Sequence, residues 1–420
     1  MITKPKGTYD IKDKNARVLK YIDQVVNDFA EIYNYDFIRT PIFESSELFH
    51  RSVGETSDIV TKETYDFMDR GERNLTLRPE GTASVVRSYI ENKVFGETKV
   101  AKYFYNGTMY RYERPQSGRN REFTQYGMEI LGSNDPHIDA ELISLPLRVL
   151  EALNIKDLIV NINTLGDKES RMNYTTALKE YFEPYLNTLC EDCQKRFVTN
   201  PLRILDCKVD CDKEVFKNAP RMSDYLNESS KNRFESVKDY LDIMGIDYEV
   251  DDNLVRGLDY YDHTVFEITC VCEELGTGNV LVAGGRYNGL VESLGGPSTP
   301  AIGFASGIER IMVALEAQDI KVVDEKAIDV FVLHVSEKET QKAVFLTQEL
   351  RLNGFKTEMA MAGKPLKSQF KDADRSNCKY MIILNENDFK TQEIQVKDCL
   401  TKEITLVKEI NIIDHLDMNF

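Results

Sequence analysis

Residues 102–131 read KYFYNGTMYRYERPQSGRNREFTQYGMEIL, and this stretch decides the fold. Aromatic and polar residues alternate over Lys102–Glu113 and again over Arg121–Leu131, which is the period-two pattern of β-strands. The segment between the two runs, RPQSGRN, contains a proline and a glycine, as turns commonly do. The stretch therefore predicts a long antiparallel hairpin.

The segments before the hairpin predict a helix and two short strands. Apolar residues recur every three or four positions over Asn15–Tyr33, which predicts a helix with one apolar stripe. Phe37–Phe43 is β-prone but contains Pro41, so we expect one strand at a sheet edge or an interface. Thr76–Thr82 predicts a short strand that breaks into a turn and then a helix.

The length of 420 residues is too great for one ordinary core, so we expect more than one domain. Residues 168–248 are charged and helix-compatible, which indicates an inserted helical unit within a first domain of residues 1–325. Strand-like and helix-like runs alternate in residues 326–420, which predicts a separate α/β domain. The fold class predicted for the whole chain is α+β.

The charge is unevenly distributed along the chain. A net charge of −17 argues against a general nucleic-acid coat, which would normally be basic. Residues 326–420 hold 14 Lys and Arg against 15 Asp and Glu, so nearly all of the acidic excess lies in the first 325 residues. Within the tail, Lys364, Lys367 and Lys371 follow one another with no acid between them.

Nothing in the sequence predicts a membrane protein or a secreted one. The longest apolar runs have about five residues, whereas a bilayer span needs about 20. The N-terminus has no apolar core of a signal peptide. Eight cysteines in 420 residues are too few for a disulfide scaffold, so we expect a cytoplasmic protein.

The sequence contains no backbone loop of the common phosphate-binding types. Neither the G-x-x-x-x-G-K-[ST] pattern nor a G-x-G-x-x-G after a strand occurs. If the protein uses a nucleotide, side chains must hold the phosphates, and arginine forks suit phosphate oxygens. Charged residues of this kind cluster near the hairpin turn and a glycine-rich loop: Arg111, Glu113, Arg119, Arg121 and Arg310. Each arginine alone could instead be a solvated surface charge.

The second strand of the hairpin carries polar residues that share one face. Gln125, Gly127 and Glu129 are two positions apart, so their side chains point to the same side of the sheet. A glutamine and a carboxylate above a glycine leave room for a small ligand, and could accept hydrogen bonds from an ammonium and an imidazole. The alternative is a ladder of hydrogen-bonded polar pairs on a solvated face.

Taken residue by residue, these segments resemble the class II aminoacyl-tRNA synthetases, and among them the histidyl-tRNA synthetases. Three segments resemble the general motifs of class II: Arg39–Pro41, Met109–Glu113 with Arg121–Phe123, and Gly303–Arg310. Three further segments resemble signatures of the histidine-specific family: Leu77–Thr82 (LRPEGT), Leu254–Tyr261 (with RGLDYY) and Ala283–Leu290 (AGGRYNGL). The resemblance covers essentially the whole chain.

The resemblance implies a class II synthetase-type antiparallel sheet flanked by helices, with a helical insertion and a C-terminal α/β anticodon-binding domain. It implies an enzyme that activates L-histidine with ATP and Mg²⁺ and transfers it to the cognate tRNA, working as a homodimer through Arg39–Phe43. A non-catalytic, histidine-binding regulatory relative of a histidine-biosynthesis transferase is the alternative. Such relatives typically lack the tail domain and lose the RGLDYY segment, and both are present here.

The resemblance also implies roles for single residues. Arg111 would bridge the histidine carboxylate and the α-phosphate, and Arg256 would supply charge at the α-phosphate. The implied ATP-binding residues are Arg111, Glu113, Arg119 and Arg310. The implied histidine-binding residues are Glu80, Gly81, Thr82, Arg111, Gln125, Glu129, Arg256, Tyr260, Tyr261 and Tyr287. The implied RNA contacts are Gln116 at the acceptor end and Lys364, Lys367 and Lys371 in the tail domain.

Four cysteines in the predicted insertion have the spacing of a zinc site. Cys190, Cys193, Cys207 and Cys211 form C-x₂-C-x₁₃-C-x₃-C, which suits tetrahedral zinc. The intervening segment matches the family whether or not cysteines flank it. The sequence therefore leaves structural zinc and free thiols as alternatives, and no residue is assigned as a metal ligand.

Overall fold

A computed structural model describes residues 1–53, 62–207, 209–210, 212–256, 258, 260–275, 279–322, 327–386 and 391–418. The chain forms two compact units, Met1–Val322 and Val323–Phe420. The sequence places the division between residues 325 and 326, three residues further along. In the described part of the chain, no helix is long and apolar enough to cross a membrane.

The larger unit contains both helices and strands. Its helices are α1 (Asp13–Ile32), α2 (Ser46–Val53), α3 (Thr82–Glu91), α4 (Pro136–Ala152), α5 (Lys168–Phe182), α6 (Glu191–Thr199), α7 (Glu214–Lys217), α8 (Glu228–Ile243), α9 (Leu290–Ser293) and α10 (Ile308–Ala317). Its strands are β1 (Asp36–Phe37), β2 (Phe43–Ser45), β3 (Tyr65–Met68), β4 (Asn74–Leu77), β5 (Ala101–Tyr110), β6 (Glu122–Leu131), β7 (Leu158–Thr164), β8 (Glu249–Val250), β9 (Asp262–Cys270), β10 (Val280–Arg286) and β11 (Ala301–Gly307).

An eight-stranded sheet forms the centre of this unit, in the order β1-β5-β6-β11-β10-β9-β7-β8. The predicted hairpin is confirmed, because β5 and β6 pair antiparallel from Ala101 opposite Leu131 to Tyr110 opposite Glu122. The inner strands are antiparallel throughout, and only the short outermost strands β1 and β8 pair parallel to their neighbours. The predicted antiparallel sheet with flanking helices is therefore correct.

Helix α4 lies against the sheet and carries much of the core. It contacts β9, β10 and β11, and nearly all of its apolar side chains are buried. Asp139 is also fully buried on this helix, where it pairs with Arg286 of β10 and Arg233 of α8. The helix therefore joins the sheet to the helical insertion through ionic as well as apolar contacts.

The prediction of a single strand over Phe37–Phe43 is wrong, but the expected edge position is confirmed, because β1 and β2 each lie at the edge of a sheet. The segment divides into β1, which belongs to the central sheet, and β2, which belongs to a separate three-stranded sheet with β4 and β3. Pro41 lies between the two strands, and a proline cannot donate the backbone hydrogen bond that would continue a ladder. The chain therefore changes sheets at this position.

The predicted helical insertion is confirmed. Between β7 and β8 the described chain consists of α5 to α8 with short 3₁₀ turns, and the insertion returns to the sheet at β8. Asp167 and Asn227 cap α5 and α8 by accepting hydrogen bonds from the backbone N–H groups of Ser170 and Ser230.

The smaller unit has a five-stranded mixed sheet of its own. Its elements are β12 (Val330–His334), α11 (Glu337–Leu352), β13 (Thr357–Met359), α12 (Leu366–Arg375), β14 (Tyr380–Leu384), β15 (Glu393–Asp398), β16 (Ile404–Lys408) and α13 (Ile412–Asp417). The strand order is β13-β12-β14-β15-β16, with the first three strands parallel. The sequence analysis did not predict β16, a short strand on which Ile404 and Leu406 are exposed and only Val407 is buried.

Candidate active site

A cleft of about 550 Å³ opens on the central sheet of the larger unit. It is bounded by the turn of the β5–β6 hairpin, the N-terminus of α10 and the segment before β9. Ten residues that the sequence analysis singled out line it: Glu80, Thr82, Arg111, Glu113, Arg119, Gln125, Arg256, Tyr260, Tyr261 and Arg310. The fold therefore brings together residues that are up to 230 positions apart in the chain.

The floor of the cleft is a row of small residues across the sheet. Register places Gly127 of β6, Ala305 of β11 and Ala283 of β10 side by side, with Glu267 of β9 at the end of the row. The space at Gly127 is already filled, because an added Cβ would lie 2.3 Å from the hydroxyl oxygen of Tyr105. The room for a ligand that the sequence placed at Gly127 is provided by the two alanines, which line the cleft.

Three arginines face this floor from different sides. Arg111 donates from Nε to the Pro79 carbonyl oxygen at 2.8 Å, and its guanidinium lies 5.4 Å from the centre of the Phe123 ring. Arg310 donates from Nε to the Val280 carbonyl oxygen at 2.6 Å. Arg256 forms an ion pair with Glu267. Each arginine is thus held in place by at least one contact with the protein.

Two donor atoms of these arginines are buried. Arg256 Nε and Arg310 Nη2 are inaccessible to solvent and have no hydrogen-bond partner among the described residues. Burial and the nearby charge of Arg119 lower the pKa of Arg310 to about 10. A buried donor without a partner costs free energy, and an anion bound in the cleft would supply the acceptor. The arrangement is suited to phosphate oxygens.

The hairpin turn contributes a second charged group. Glu113 lies 3.8 Å from Arg111 and 3.9 Å from Arg119, which is too far for hydrogen bonds. Gln116 is exposed at the tip of the turn and does not line the cleft. Arg121 stacks on Tyr112, with its guanidinium 3.7 Å from the ring centre. It therefore stabilises the hairpin and does not belong to the cleft.

The carboxylate of Glu129 lies behind the cleft and does not line it. It is fully buried, accepts hydrogen bonds from Thr82 Oγ1 at 2.6 Å and Tyr287 Oη at 2.5 Å, and has a pKa raised by burial to about 8. Gly303 makes this position possible, since an added Cβ there would lie 1.5 Å from Glu129 Oε2. Glu129 thus reaches the cleft only through Thr82.

Glu80 and Gln125 are the polar groups that face the cleft on this side. Glu80 accepts from the backbone N–H groups of Thr82 and Ala83, which fixes its carboxylate at the start of α3. Gly81 allows this close turn, because a side chain there would collide with the Tyr105 ring. Gln125 Oε1 is buried and has no hydrogen-bond partner in the described part of the chain. It is free to accept from a ligand.

Aromatic side chains close one wall. Tyr260 and Tyr261 line the cleft with their ring centres 4.6 Å apart, and Tyr287 lies behind them, 5.6 Å from Tyr260. Burial raises the pKa of Tyr260 well above its usual value, so the hydroxyl stays neutral. Gly257 and Asp259 of the RGLDYY segment lie outside the described residues.

Comparison with known proteins finds relatives that match nearly the whole chain. The family model of histidyl-tRNA synthetase matches residues 7–311, and that of the anticodon binding domain matches residues 329–417. The chain is 46% identical over 417 residues to the histidine–tRNA ligase of Macrococcus caseolyticus, with 99% of each chain covered. It is 49% identical over 413 residues to that of Anoxybacillus flavithermus, with 98% of each covered.

This chain belongs to the histidyl-tRNA synthetase family. The crystal structure of apo histidyl-tRNA synthetase from S. aureus superposes with a TM-score of 0.85 at 40% identity, covering 99% of this chain and 100% of that one. A structure described as an ATP phosphoribosyltransferase regulatory subunit/histidyl-tRNA synthetase from Bacillus halodurans C has a TM-score of 0.65 at 21% identity. That second likeness shows a common fold alone.

The sequence analysis missed four carboxylates that line the cleft: Asp206, Asp251, Glu267 and Glu309. Glu267 pairs with Arg256, and Glu309 accepts from Tyr9 Oη at 2.5 Å and from the backbone N–H of Thr124 at 2.8 Å. Oε2 of Glu309 is buried and has no partner within the described ranges. A signal for Glu267 existed, since it is a charged residue in an otherwise apolar strand segment, VFEI.

The basic residues singled out in the tail lie in the smaller unit. Lys364 precedes α12, and Lys367 and Lys371 are four positions apart on it, so they share one face. All three are exposed, although Lys364 forms an ion pair with Asp372 at 2.7 Å. Lys367 and Lys371 thus form an exposed basic pair.

Proposed function

We propose that the cleft of the larger unit binds histidine and ATP, joins them as histidyl-adenylate and passes the histidyl group to the 3′ end of the cognate tRNA. Membership of the family makes the protein a histidine–tRNA ligase, a class II aminoacyl-tRNA synthetase. The proposal concerns the place and the residues of the reaction. One observation carries it: Arg111, Arg256 and Arg310 line one cleft together with Glu80, Thr82 and Gln125.

In this proposal the histidine carboxylate attacks the α-phosphorus of ATP, and pyrophosphate leaves on the opposite side. Arg111 and Arg256 hold the carboxylate and the α-phosphate, and they stabilise the negative charge that develops in the transition state. Arg310, with Glu113 and Arg119, holds the rest of the nucleotide. A terminal hydroxyl of the tRNA then attacks the carbonyl carbon, and AMP leaves.

The histidine side chain would lie beside Glu80, Thr82 and Gln125, against the tyrosine wall. The buried amide oxygen of Gln125 can accept one hydrogen bond from the imidazole or the ammonium group. Glu129 would hold Thr82 in position by accepting its hydrogen bond, and Tyr287 would hold Glu129 in the same way. Gln116, exposed on the hairpin turn, would approach the acceptor end of the tRNA.

Mg²⁺ is proposed as the companion of ATP. The residues present fit it, because the carboxylates of Glu113 and Glu309 line the cleft and the buried Oε2 of Glu309 has no partner among the described residues. Carboxylate oxygens are ligands that Mg²⁺ prefers. When bound, the ion would neutralise phosphate charge.

The decisive experiment is histidine-dependent exchange of pyrophosphate into ATP, followed by charging of the cognate tRNA. The proposal requires exchange with histidine and no exchange with the other amino acids. A protein that binds histidine but performs neither step would support the regulatory alternative. That alternative is not favoured, since the anticodon binding domain is retained.

Glu129→Gln is expected to raise the KM for histidine about tenfold while the KM for ATP changes by less than about twofold. Thr82 and Tyr287 contact different oxygens of the Glu129 carboxyl group, and glutamine replaces one of these oxygens with an NH₂ group, so Thr82 moves on the histidine side of the cleft. Steady-state exchange kinetics measure both constants. Glu122→Gln on the same strand, outside the cleft, is the control. Equal effects on histidine and ATP would contradict the placement of histidine beside Thr82.

The same variant tests the burial of this carboxyl. Burial raises the pKa of Glu129 from 4.5 to about 8 in the folded protein. The contribution of this carboxyl group to the free energy of unfolding is therefore greatest below pH 4.5, and it is lost as the pH rises towards 8. Glu129→Gln has no ionisable group at this position and is not destabilised in this way. The melting temperature of the variant should therefore rise relative to that of the native protein from pH 5 to pH 8. Melting temperatures across that range measure the difference.

Lys367→Glu combined with Lys371→Glu is expected to raise the KM for tRNA roughly tenfold. The slope of the logarithm of the tRNA binding constant against the logarithm of the salt concentration should become about 2 smaller in magnitude. Pyrophosphate exchange should be unchanged, because both residues lie in the smaller unit. Lys402→Glu with Lys408→Glu, two exposed lysines of the same unit, is the control. If both double variants weakened tRNA binding equally, the assignment of the tRNA contact to α12 would be wrong.

A homodimer is proposed through the segment around Arg39–Phe43. Large apolar side chains are exposed there, including Phe37 at 61%, Ile42 at 42% and Phe43 at 52%. Sedimentation at micromolar concentration should give about twice the 48.3 kDa mass of the chain. Phe37→Asp should shift the mass towards the monomer, whereas Val198→Asp, which changes a residue 74% exposed on α6, should not. A native mass near that of one chain would exclude the dimer.

A cytoplasmic location is proposed as well. The described cysteines are all free thiols, as a reducing compartment maintains them. Fractionation of cells that produce the tagged protein tests this.

A further inference from the structure

Three cysteines and an aspartate of the helical insertion converge at one point. Cys190 caps α6, Cys193 lies in its first turn, and Cys207 and Asp210 follow the 3₁₀ turn Pro201–Ile204. The three Sγ atoms and a carboxylate oxygen of Asp210 all lie within 4.8 Å of one another. Cys193, Cys207 and Asp210 are buried, with exposed fractions of 0%, 5% and 3%. Cys211 lies outside the described residues.

The spacing of the sulfur atoms fits a shared ion. Cys190 Sγ and Cys207 Sγ are 3.7 Å apart, which is far longer than a disulfide bond. A tetrahedral zinc ion with Zn–S bonds of about 2.3 Å separates its sulfur ligands by about 3.8 Å. The thiols are therefore close to the positions that such an ion would impose.

Distance alone does not distinguish this cluster from two thiols in contact. Cys378 and Cys399 of the smaller unit are also 3.7 Å apart, yet no third ligand joins them in the described part of the chain. What distinguishes the insertion is the third thiol together with a buried carboxylate. Four convergent ligands complete a tetrahedron, and two do not.

The surroundings of the cluster compensate negative charge. The backbone N–H of Asp210 donates to Cys207 Sγ at 3.3 Å, and the backbone N–H of Cys190 donates to Asp210 Oδ2 at 2.6 Å. Lys213 Nζ lies 2.7 Å from Asp210 Oδ1. Hydrogen bonds to ligand atoms and a nearby cation stabilise an anionic ligand set, as they do around structural metal ions.

We propose that Cys190, Cys193, Cys207 and Asp210 bind one structural zinc ion. Three thiolates and a carboxylate on a closed, buried site suit zinc better than the harder ions, which prefer oxygen ligands alone. The ion links the start of α6 to the loop that follows residue 204. This part of the insertion otherwise consists of short helices and 3₁₀ turns.

The site also has a position relevant to the cleft. Asp206 lines the cleft and is adjacent in sequence to the ligand Cys207. Zinc would therefore hold one edge of the cleft in place from outside it. The ion itself takes no part in the reaction proposed above, so metal binding can be tested independently of catalysis.

The test measures metal in the full-length protein. Protein purified without chelators should contain about one zinc ion per chain by mass spectrometry of the metal. Protein stripped with a chelator and titrated with Co²⁺ should develop the intense visible bands of tetrahedral cobalt–thiolate. Cys190→Ser and Cys207→Ser should each lower the zinc content at least tenfold. Cys378→Ser with Cys399→Ser, which removes two thiols elsewhere, should leave it unchanged.

Two further variants examine the fourth ligand. Asp210→Asn should weaken zinc binding at least tenfold, whereas Cys211→Ser should leave it unchanged. The reverse pattern would overturn the assignment of Asp210. If a cysteine variant fails to fold, the native protein still decides the matter, because folded protein that takes up neither zinc nor Co²⁺ overturns the site.

Discussion

Arg256→Ala is expected to lower the rate of histidine-dependent pyrophosphate exchange by roughly 10²–10³, the loss typical of one charge donor in the transition state. Arg256 Nε is buried without a hydrogen-bond partner among the described residues, and the side chain lines the cleft. Its loss should lower the turnover number more than it raises either KM, since the charge develops during the reaction. Exchange rates under saturating substrates measure the effect.

The ion pair with Glu267 supplies the control for this experiment. Arg256→Ala also leaves the Glu267 carboxylate without its partner, and this alone could destabilise the sheet. Glu267→Gln breaks the same ion pair but keeps the guanidinium in the cleft, so its exchange rate should fall by less than about tenfold. If both variants lose activity equally, Arg256 serves the structure and not the reaction.

Asp139→Ala is expected to destabilise the larger unit by about 3–5 kcal/mol, because it leaves the buried guanidinium of Arg286 and the mostly buried one of Arg233 without their carboxylate. Asp139 accepts from Arg286 Nε at 2.7 Å and from Thr264 Oγ1 at 2.6 Å, and it pairs with Arg233 at 3.1 Å. Neither Asp139 nor Arg286 has exposed surface. Scanning calorimetry should show a fall in the melting temperature of the larger unit by roughly 5–15 °C.

Helix α4 provides a matched control for that variant. Glu151 pairs with Arg148 on the same helix at 2.7 Å, but both side chains are more than a third exposed. Glu151→Ala should change the free energy of unfolding by less than about 1 kcal/mol. A shift for Asp139→Ala no larger than this would mean that the buried cluster contributes little to stability.

Periodicity and local chemistry were enough to predict much of the fold. The alternating residues of Lys102–Leu131 predicted the hairpin, and the helical insertion and the tail followed from equally local patterns. Each of these features depends on residues close in sequence, whose spacing determines which side of a strand or helix they occupy. The prediction of one strand over Phe37–Phe43 was wrong for the opposite reason. Whether a chain continues in one sheet or enters another depends on partners far away.

The sequence alone identified ten of the residues that line the cleft, because arginines near turns and the six resembling segments mark most of these ten. Only the tertiary structure decided their positions and partners. All four arginines, Arg121, Arg256, Arg286 and Arg310, lie near turns or glycines. Arg310 and Arg256 line the cleft, Arg121 stacks on Tyr112, and Arg286 forms a buried ion pair with Asp139. Glu129 likewise lies behind Thr82. Spacing determines which residues share a face, but long-range contacts determine what lies opposite that face, and those contacts decide whether a charge is paired, buried or available to a ligand.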